Sequence, residues 1–262
     1  VTGSVTWLFY SDRLMEFPLG VFAIALSTVI LPSLSRSHAN GADDEFSATL
    51  DWGLRGILLI GIPSTAGLIM LARPLLATLF QHGDFTAADV DMAGLSLMAY
   101  AIGLPGFMLI KVLAPAFYSR KDPRTPVRIA IIALVVTLVL NLTFVLGMLQ
   151  LGIPGAHAGL ALATSLGAWV NAGLLFRHLY REGIYRPLPG WPRYALQVLV
   201  AVAVLAGVLQ AGVPGVDAWL ARDAMGRVSW LLLWVAAGIA AYFLVLRLVG
   251  VRFTAVWKKR PE

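Results

Sequence analysis

Seven stretches of this chain run for roughly 17 to 31 residues with few polar interruptions, long enough to be membrane spans, and that pattern leaves few ways to fold. They extend from about Ser4 to Leu34, Leu54 to Phe80, Met92 to Tyr118, Val127 to Met148, Gly155 to Phe176, Tyr194 to Gln210 and Val228 to Val249. A helix of about 20 residues crosses the ~30 Å of a bilayer's hydrocarbon. A water-soluble core could not absorb this material, because apolar residues make up 59% of the 262 positions and charged residues only 13%, against nearer half and a quarter in soluble domains. Strands of a membrane barrel would alternate in segments of about ten residues, which these unbroken runs do not do. The expected fold is therefore an all-α integral membrane protein of about seven transmembrane helices.

Between the runs lie turn-formers: Asn40-Gly41, Asp122-Pro123, Pro154-Gly155, Pro187 to Pro192 and Pro214-Gly215. The segment 35–53 carries Phe46 and Leu50 at helical spacing, with Leu54 just beyond, among Asp43, Asp44, Glu45 and Asp51, and is predicted to be an amphipathic helix lying in the cytoplasmic interface. The chain opens at Val1 with no basic leader, so no signal peptide is predicted and one half of something longer is expected. It has no cysteine, which removes disulfides, thiolate metal sites and cysteine nucleophiles.

A net charge of +6 could suggest nucleic acid, but the positions argue otherwise. The loops after runs one, three and five hold Arg36, Arg55, Arg120, Lys121, Arg124, Arg128, Arg177, Arg181, Arg186 and Arg193, and the C-terminal end holds Arg247, Arg252, Lys258, Lys259 and Arg260. The other loops hold only Arg73, Arg222 and Arg227. Cytoplasmic loops carry the positive excess, so the tail is predicted to be cytoplasmic and the first residue outside. The basic charge is topological and lipid-facing, with no nucleic-acid partner expected.

Two cations sit where charge is expensive, Arg13 in the first run and Lys111 in the third. In a helix Arg13 and Glu16 are i and i+3, and Asp12 and Glu16 i and i+4, so the three share a face. Pro18 removes the donor for the carbonyl of Leu14, tolerated in a membrane only against protein or a water-filled cavity. If Arg13 and Lys111 both face a cavity, they form an anion site suited to a phosphate-bearing substrate. The alternatives are that Asp12 and Arg13 anchor the helix at the interface and that Lys111 snorkels. Thr137 and Asn141 share a face and Thr164 lies in the next run, a candidate cation site or interhelical hydrogen-bonding group. The scattered histidines and the lack of H-E-x-x-H, G-x-S-x-G or a phosphate loop give no footing for an enzyme, a metal or a cofactor.

The stretch SDRLMEFPLGVFAIALSTVILPSLSRS, Ser11 to Ser37, resembles the MurJ (MviN) lipid II flippases of the MOP exporter superfamily, as do LFQHGDFTAADV, Leu79 to Val90, and KVLAPAFYSRKDPRTPV, Lys111 to Val127. The resemblance covers the C-terminal half of a family member with fourteen spans in two lobes. It implies a multi-pass protein of the bacterial inner membrane, one lobe of a MOP-type transporter that moves the undecaprenyl-pyrophosphate-linked peptidoglycan precursor, lipid II, to the outer leaflet in cell-wall biogenesis. It further implies a cationic cavity between lobes, with Arg13 for the pyrophosphate, Glu16 for gating and for positioning Arg13, Lys111 for cavity charge, Asp12 beside them, and Pro18 as the kink. Its expected partners are lipid II, membrane lipids and an N-terminal lobe. Some relatives hold sodium between the spans matching runs four and five, where Asn141 stands in place of an acid. Rival readings are another MOP-type exporter, of polysaccharide-lipid or drug, and a non-transporting membrane scaffold.

Overall fold

The computed structural model describes residues 3–152 and 155–251, so Pro154 and the basic tail residues Arg252, Lys258, Lys259 and Arg260 lie outside it. Among the described residues seven helical stretches are long and apolar enough to cross a membrane. The first is composite: α1 (Ser4–Pro18), a π-helical stretch Leu19–Ile24, and α2 (Ala25–Ala39). The others are α3 (Asp43–Met70), α5 (Ala87–Ser119), α6 (Arg124–Gln150), α7 (Ala156–Arg181), α8 (Trp191–Gly212) and α10 (Ala224–Leu248). Two short helices, α4 (Ala72–Phe80) and α9 (Val216–Leu220), sit at the end of the bundle where α1 begins. That end is called here the Trp7 end, and the opposite one the Lys121 end.

The helix ends are set locally. Gly41, at φ 65°, separates α2 from α3, whose first turn carries Asp43, Asp44 and Glu45, where acids favour the helix dipole. Thr86 and Asp89 close a capping box at the start of α5. Lys121 takes φ 60° after α5, and the backbone N–H of Thr125 donates to Asp122 at 3.2 Å as α6 begins. Hydrogen bonds from Thr125 hold the Asp122 carboxyl below its ordinary pKa.

The segment 35–53 does not form a separate interfacial helix. Ser35–Ala39 completes α2, and from Asp43 the chain runs unbroken through α3 into the second span. Phe46, Leu50 and Leu54 are buried in the main core. Gly53 permits this, because Ile30 of α2 and Val112 of α5 both press against its bare face. The apolar run that continues to Phe80 breaks instead at Leu71, between α3 and α4.

α5 is the central helix, packed on by α1, α2, α3, α4 and α7. In a membrane the hydrophobic effect does not drive helices together, so close approach and hydrogen bonds must. A Cβ on Gly103 would lie 2.6 Å from Cα of Ser165 in α7, and one on Gly106 would lie 3.1 Å from the backbone nitrogen of Trp169. Ser165 donates to the carbonyl of Ala99 at 2.7 Å and Trp169 to that of Ile102 at 2.8 Å.

Two prolines inside helices are answered by hydroxyls from neighbours. Pro63 leaves the carbonyl of Leu59 without its helical donor, and Tyr242 of α10 donates to it at 2.7 Å. Pro105 does the same to Ala101, and Thr65 of α3 donates there at 3.1 Å. At the Lys121 end the loop after α7 is fastened to α3 by Asp51. This carboxylate is 1% exposed and accepts from Arg55, Tyr185, Trp191 and the backbone of Leu188. Burial, with the bond to Asp51, pushes the Tyr185 phenol above its ordinary pKa, so it stays a donor.

The Tyr242–Leu59 bond is expected to matter only because Pro63 is there. Tyr242→Phe should lower unfolding stability in detergent by about 1 kcal/mol, the cost of an orphaned membrane carbonyl. In a Pro63→Ala background, where the helix bonds itself, the same change should cost clearly less. Equal costs in both backgrounds would show that the tyrosine packs and does not satisfy the carbonyl.

Candidate functional site

The residues that carry charge at membrane depth stand on one continuous pair of helices. The composite first span and α5 run parallel in constant register. Trp7 donates to Asp89 at 2.8 Å, and Ser11 to the carbonyl of Ala93 at 2.7 Å, both across 82 residues. Far down the helices Ile30 and Val112 meet over Gly53 at that same separation. At the Trp7 end α7 joins them, His157 lying 4.7 Å from Trp7 between ring centroids and bonding the carbonyl of Met92 at 3.0 Å.

Arg13 and Glu16 form an ion pair at 2.8 Å with side chains 59% and 47% exposed. The guanidinium also stacks on Phe9, 5.1 Å from the ring centroid. In α1 Ser11 and Met15 are buried, and Arg13 lies nearly opposite Ser11 around the helix, so it points away from α5. Asp12 is only partly exposed and makes no direct bond to Arg13 or Glu16, but it feels the charge of both, so the predicted cluster is an ion pair with a third charge beside it. One turn on, Pro18 leads directly into the π-helical stretch. Such wide turns are rare and gather at functional sites.

Lys111 is exposed, with no hydrogen-bond or ion-pair partner among the described residues. The register sets it level with Val29, about sixteen residues and so about 24 Å below Arg13. One pyrophosphate cannot span that gap. Arg13, Glu16 and Lys111 line neither the cavity between α5 and α7 nor the one between α3, α5 and α8. An unpaired lysine facing lipid would cost about 3 kcal/mol. The same strip holds unanswered backbone. No side chain of a neighbouring helix donates to the carbonyls freed by Pro18, Pro32 and Pro115, those of Leu14, Thr28 and Lys111, among the described residues. Sequence reasoning found the Leu14 carbonyl and missed those of Thr28 and Lys111, although a search four residues before each proline would have found them.

Thr137, Asn141 and Thr164 do come together. Thr137 presses on Gly167 and Phe144 on Gly159, which brings Asn141 level with Thr164 across the antiparallel α6–α7 seam. The threonines donate to their own helices, at Ala133 and Leu160, and the buried Asn141 Oδ1 has no partner. With three neutral oxygens and no group of three or more His, Cys, Asp or Glu among the described residues, a cation here would keep its full charge in a low-dielectric setting. The donor set does not fit a sodium ion. Nor do these oxygens bond across the seam, since the threonines turn to their own helices.

Seven apolar helices, one of them central, with charge on a face that they leave uncovered, define the class as a multi-pass helical membrane protein. A solved structure titled lipid II flippase MurJ, inward closed conformation, has the same fold, with a TM-score of 0.71 and 24% identity over 94% of this chain and 47% of that one. The model of the family described as lipid II flippase MurJ matches residues 1–221. A probable lipid II flippase MurJ of Vibrio cholerae is 45% identical over 96% of this chain and 46% of its own length. Lipid II flippase MurJ of Burkholderia cenocepacia is 42% identical over 99% and 49%. The chain belongs to the MurJ family, and it spans about half the length of the curated relatives it matches.

Replacing sodium by potassium at constant ionic strength should leave the melting temperature of the protein unchanged. An ion at a hundred times its Kd would add about 2.7 kcal/mol. A sodium-specific rise that Asn141→Ala abolishes would overturn the reading of the α6–α7 seam.

Proposed function

We propose that this chain is the C-terminal lobe of a flippase that carries lipid II from the cytoplasmic to the outer leaflet by alternating access against an N-terminal lobe. The observation that carries the proposal is the half-exposed Arg13–Glu16 pair on an otherwise apolar span, beside a π-helical turn, in a member of the MurJ family. A charge-stabilised arginine in such a place is suited to a diphosphate, which it can bind by two parallel hydrogen bonds. Glu16 holds Arg13 until the anion competes for it, and so positions the arginine and resists premature binding. The hinge is the Pro18 turn. The protein is a multi-pass membrane protein, and we place its C-terminal end in the cytoplasm of a bacterial inner-membrane setting because basic residues gather at the Lys121 end.

That orientation gives the two cations an order. The headgroup enters from the cytoplasm near Lys111, and Arg13 receives it about 24 Å further along. The polyprenyl tail stays in lipid. Rocking of the lobes exposes the headgroup on the far side, and any substrate-driven shift needs unequal affinity in the two states.

Arg13→Ala in the intact protein is expected to weaken headgroup binding by roughly 30-fold, equivalent to about 2 kcal/mol for lost charged hydrogen bonds. Lipid II translocation and flippase-dependent growth should fail with it. Arg13→Lys should restore little, because a point charge does not replace the fork. Full translocation by both variants would remove the assigned role.

Topology has its own test, since this chain contributes no cysteine. On intact cells a membrane-impermeant maleimide should label Asp84→Cys and spare Lys121→Cys. The reverse pattern would invert the orientation and the order of the two cations.

A further inference from the structure

The side of α5 turned away from Lys111 carries a second polar element. Met98 lies thirteen residues from Lys111, which turns the two roughly 140° apart around the helix. Met98 forms part of a cavity of about 400 Å3, with Met70 and Arg73 on one wall and Leu209, Gln210 and Val213 on another. α3 ends at Met70 and α8 at Gly212, so the cavity sits at the depth where spanning helices give way to headgroups. Its interior is apolar, while the half-exposed Arg73 and the exposed Gln210 mark its mouth.

Arg73 is held in place there. Its Nε donates to Asp91 Oδ1 of α5 at 2.9 Å, and the arginine stem crosses over Gly94, where a Cβ would come within 3.2 Å of Arg73 Cγ. That bond uses one of the five guanidinium N–H groups. The two Nη groups and the Gln210 amide have no partner among the described residues, and the Asp91 side chain is 47% exposed. Tying α4 to α5 explains the Nε–Asp91 bond, but not the hollow or the free donors at its mouth.

An arginine at the mouth of an apolar hollow, with the carboxylate it holds just beyond the lining, is complementary to a phosphate and an ammonium fixed side by side over an acyl chain. We propose that this cavity binds a glycerophospholipid with a zwitterionic phosphoethanolamine headgroup. The phosphate accepts from the Nη groups of Arg73, the ammonium pairs with Asp91, and a glycerol ester oxygen accepts from Gln210. The first part of an acyl chain lies against Met70, Met98 and Leu209. An anionic headgroup meets the same arginine but also the Asp91 carboxylate, and that repulsion sets the selectivity. The site is separate from the Arg13 face and stands whether or not the flippase reading does.

The intact protein, stripped of lipid in detergent, would be titrated with palmitoyl-oleoyl phosphatidylethanolamine or phosphatidylglycerol and the bound lipid counted by native mass spectrometry. Phosphatidylethanolamine should bind preferentially. Asp91→Asn should weaken its binding about tenfold, the loss of one charged hydrogen bond, and leave phosphatidylglycerol equal or stronger. Arg73→Gln should weaken both lipids, and Met98→Trp, which fills the hollow without altering charge, should do the same. Damage to the fold would lower both lipids alike, so the opposite responses to Asp91→Asn separate recognition from structure. Equal binding of the two lipids, a parallel response of both to Asp91→Asn, or undiminished binding by Met98→Trp would each overturn the proposal.

Discussion

Backbone carbonyls that proline leaves without a donor govern how these helices meet. In lipid an unbonded carbonyl has no water to turn to, so each proline inside a span creates a demand on a neighbouring helix. Tyr242 meets that demand at Leu59 and Thr65 at Ala101. Those two bonds tie α10 to α3 and α3 to α5, and the bare glycines of α5 bring α7 close on its other side. The core therefore assembles around α5, with polar bonds setting which helices touch and small residues setting how near they come.

The carbonyls freed by Pro18, Pro32 and Pro115 follow a different rule. Among the described residues no neighbouring side chain answers them, and they lie on the elements that bear Arg13, Glu16 and Lys111. Pro115 is itself buried and Pro63 only partly so, so burial of the proline does not decide which carbonyl is answered; the open ones lie along the strip formed by the two helices that carry Arg13, Glu16 and Lys111. The π-helical turn after Pro18 belongs to the same strip. Where the interior is over-determined by packing, this strip sets irregular backbone beside charge.

Much of this was legible in the residues. Apolar runs gave seven spans because hydrocarbon thickness translates directly into helix length, and the i, i+3 spacing gave the Arg13–Glu16 pair before any coordinates. What stayed hidden depended on tertiary partners. The charges at Asp43, Asp44 and Glu45 suggested an interfacial helix, yet Gly53 lets Ile30 and Val112 close on α3 and draws Phe46 and Leu50 into the core. Asp51 looked like one more acid of that polar face and proved to be the buried anchor of the α7–α8 loop. The depth of Lys111 relative to Arg13 was invisible as well, because parallel register is a property of two helices and neither sequence states it.

Exposure alone does not tell lipid from protein in such a chain, but chemistry does. α6 has three buried residues, Pro126, Ile129 and Ala133, and shows Ile131, Leu134, Leu138 and Leu142 to its surroundings. Acyl chains suit those side chains, so its outward face needs nothing further. α1 also exposes Val5, Phe9 and Phe17, yet between them stand Arg13 and Glu16, which lipid cannot solvate. Two surfaces equally bare in this chain therefore have different covers: hydrocarbon on α6, and on α1 a polar wall that these seven helices do not provide. The charged pair therefore marks the part of this surface that acyl chains leave unmet.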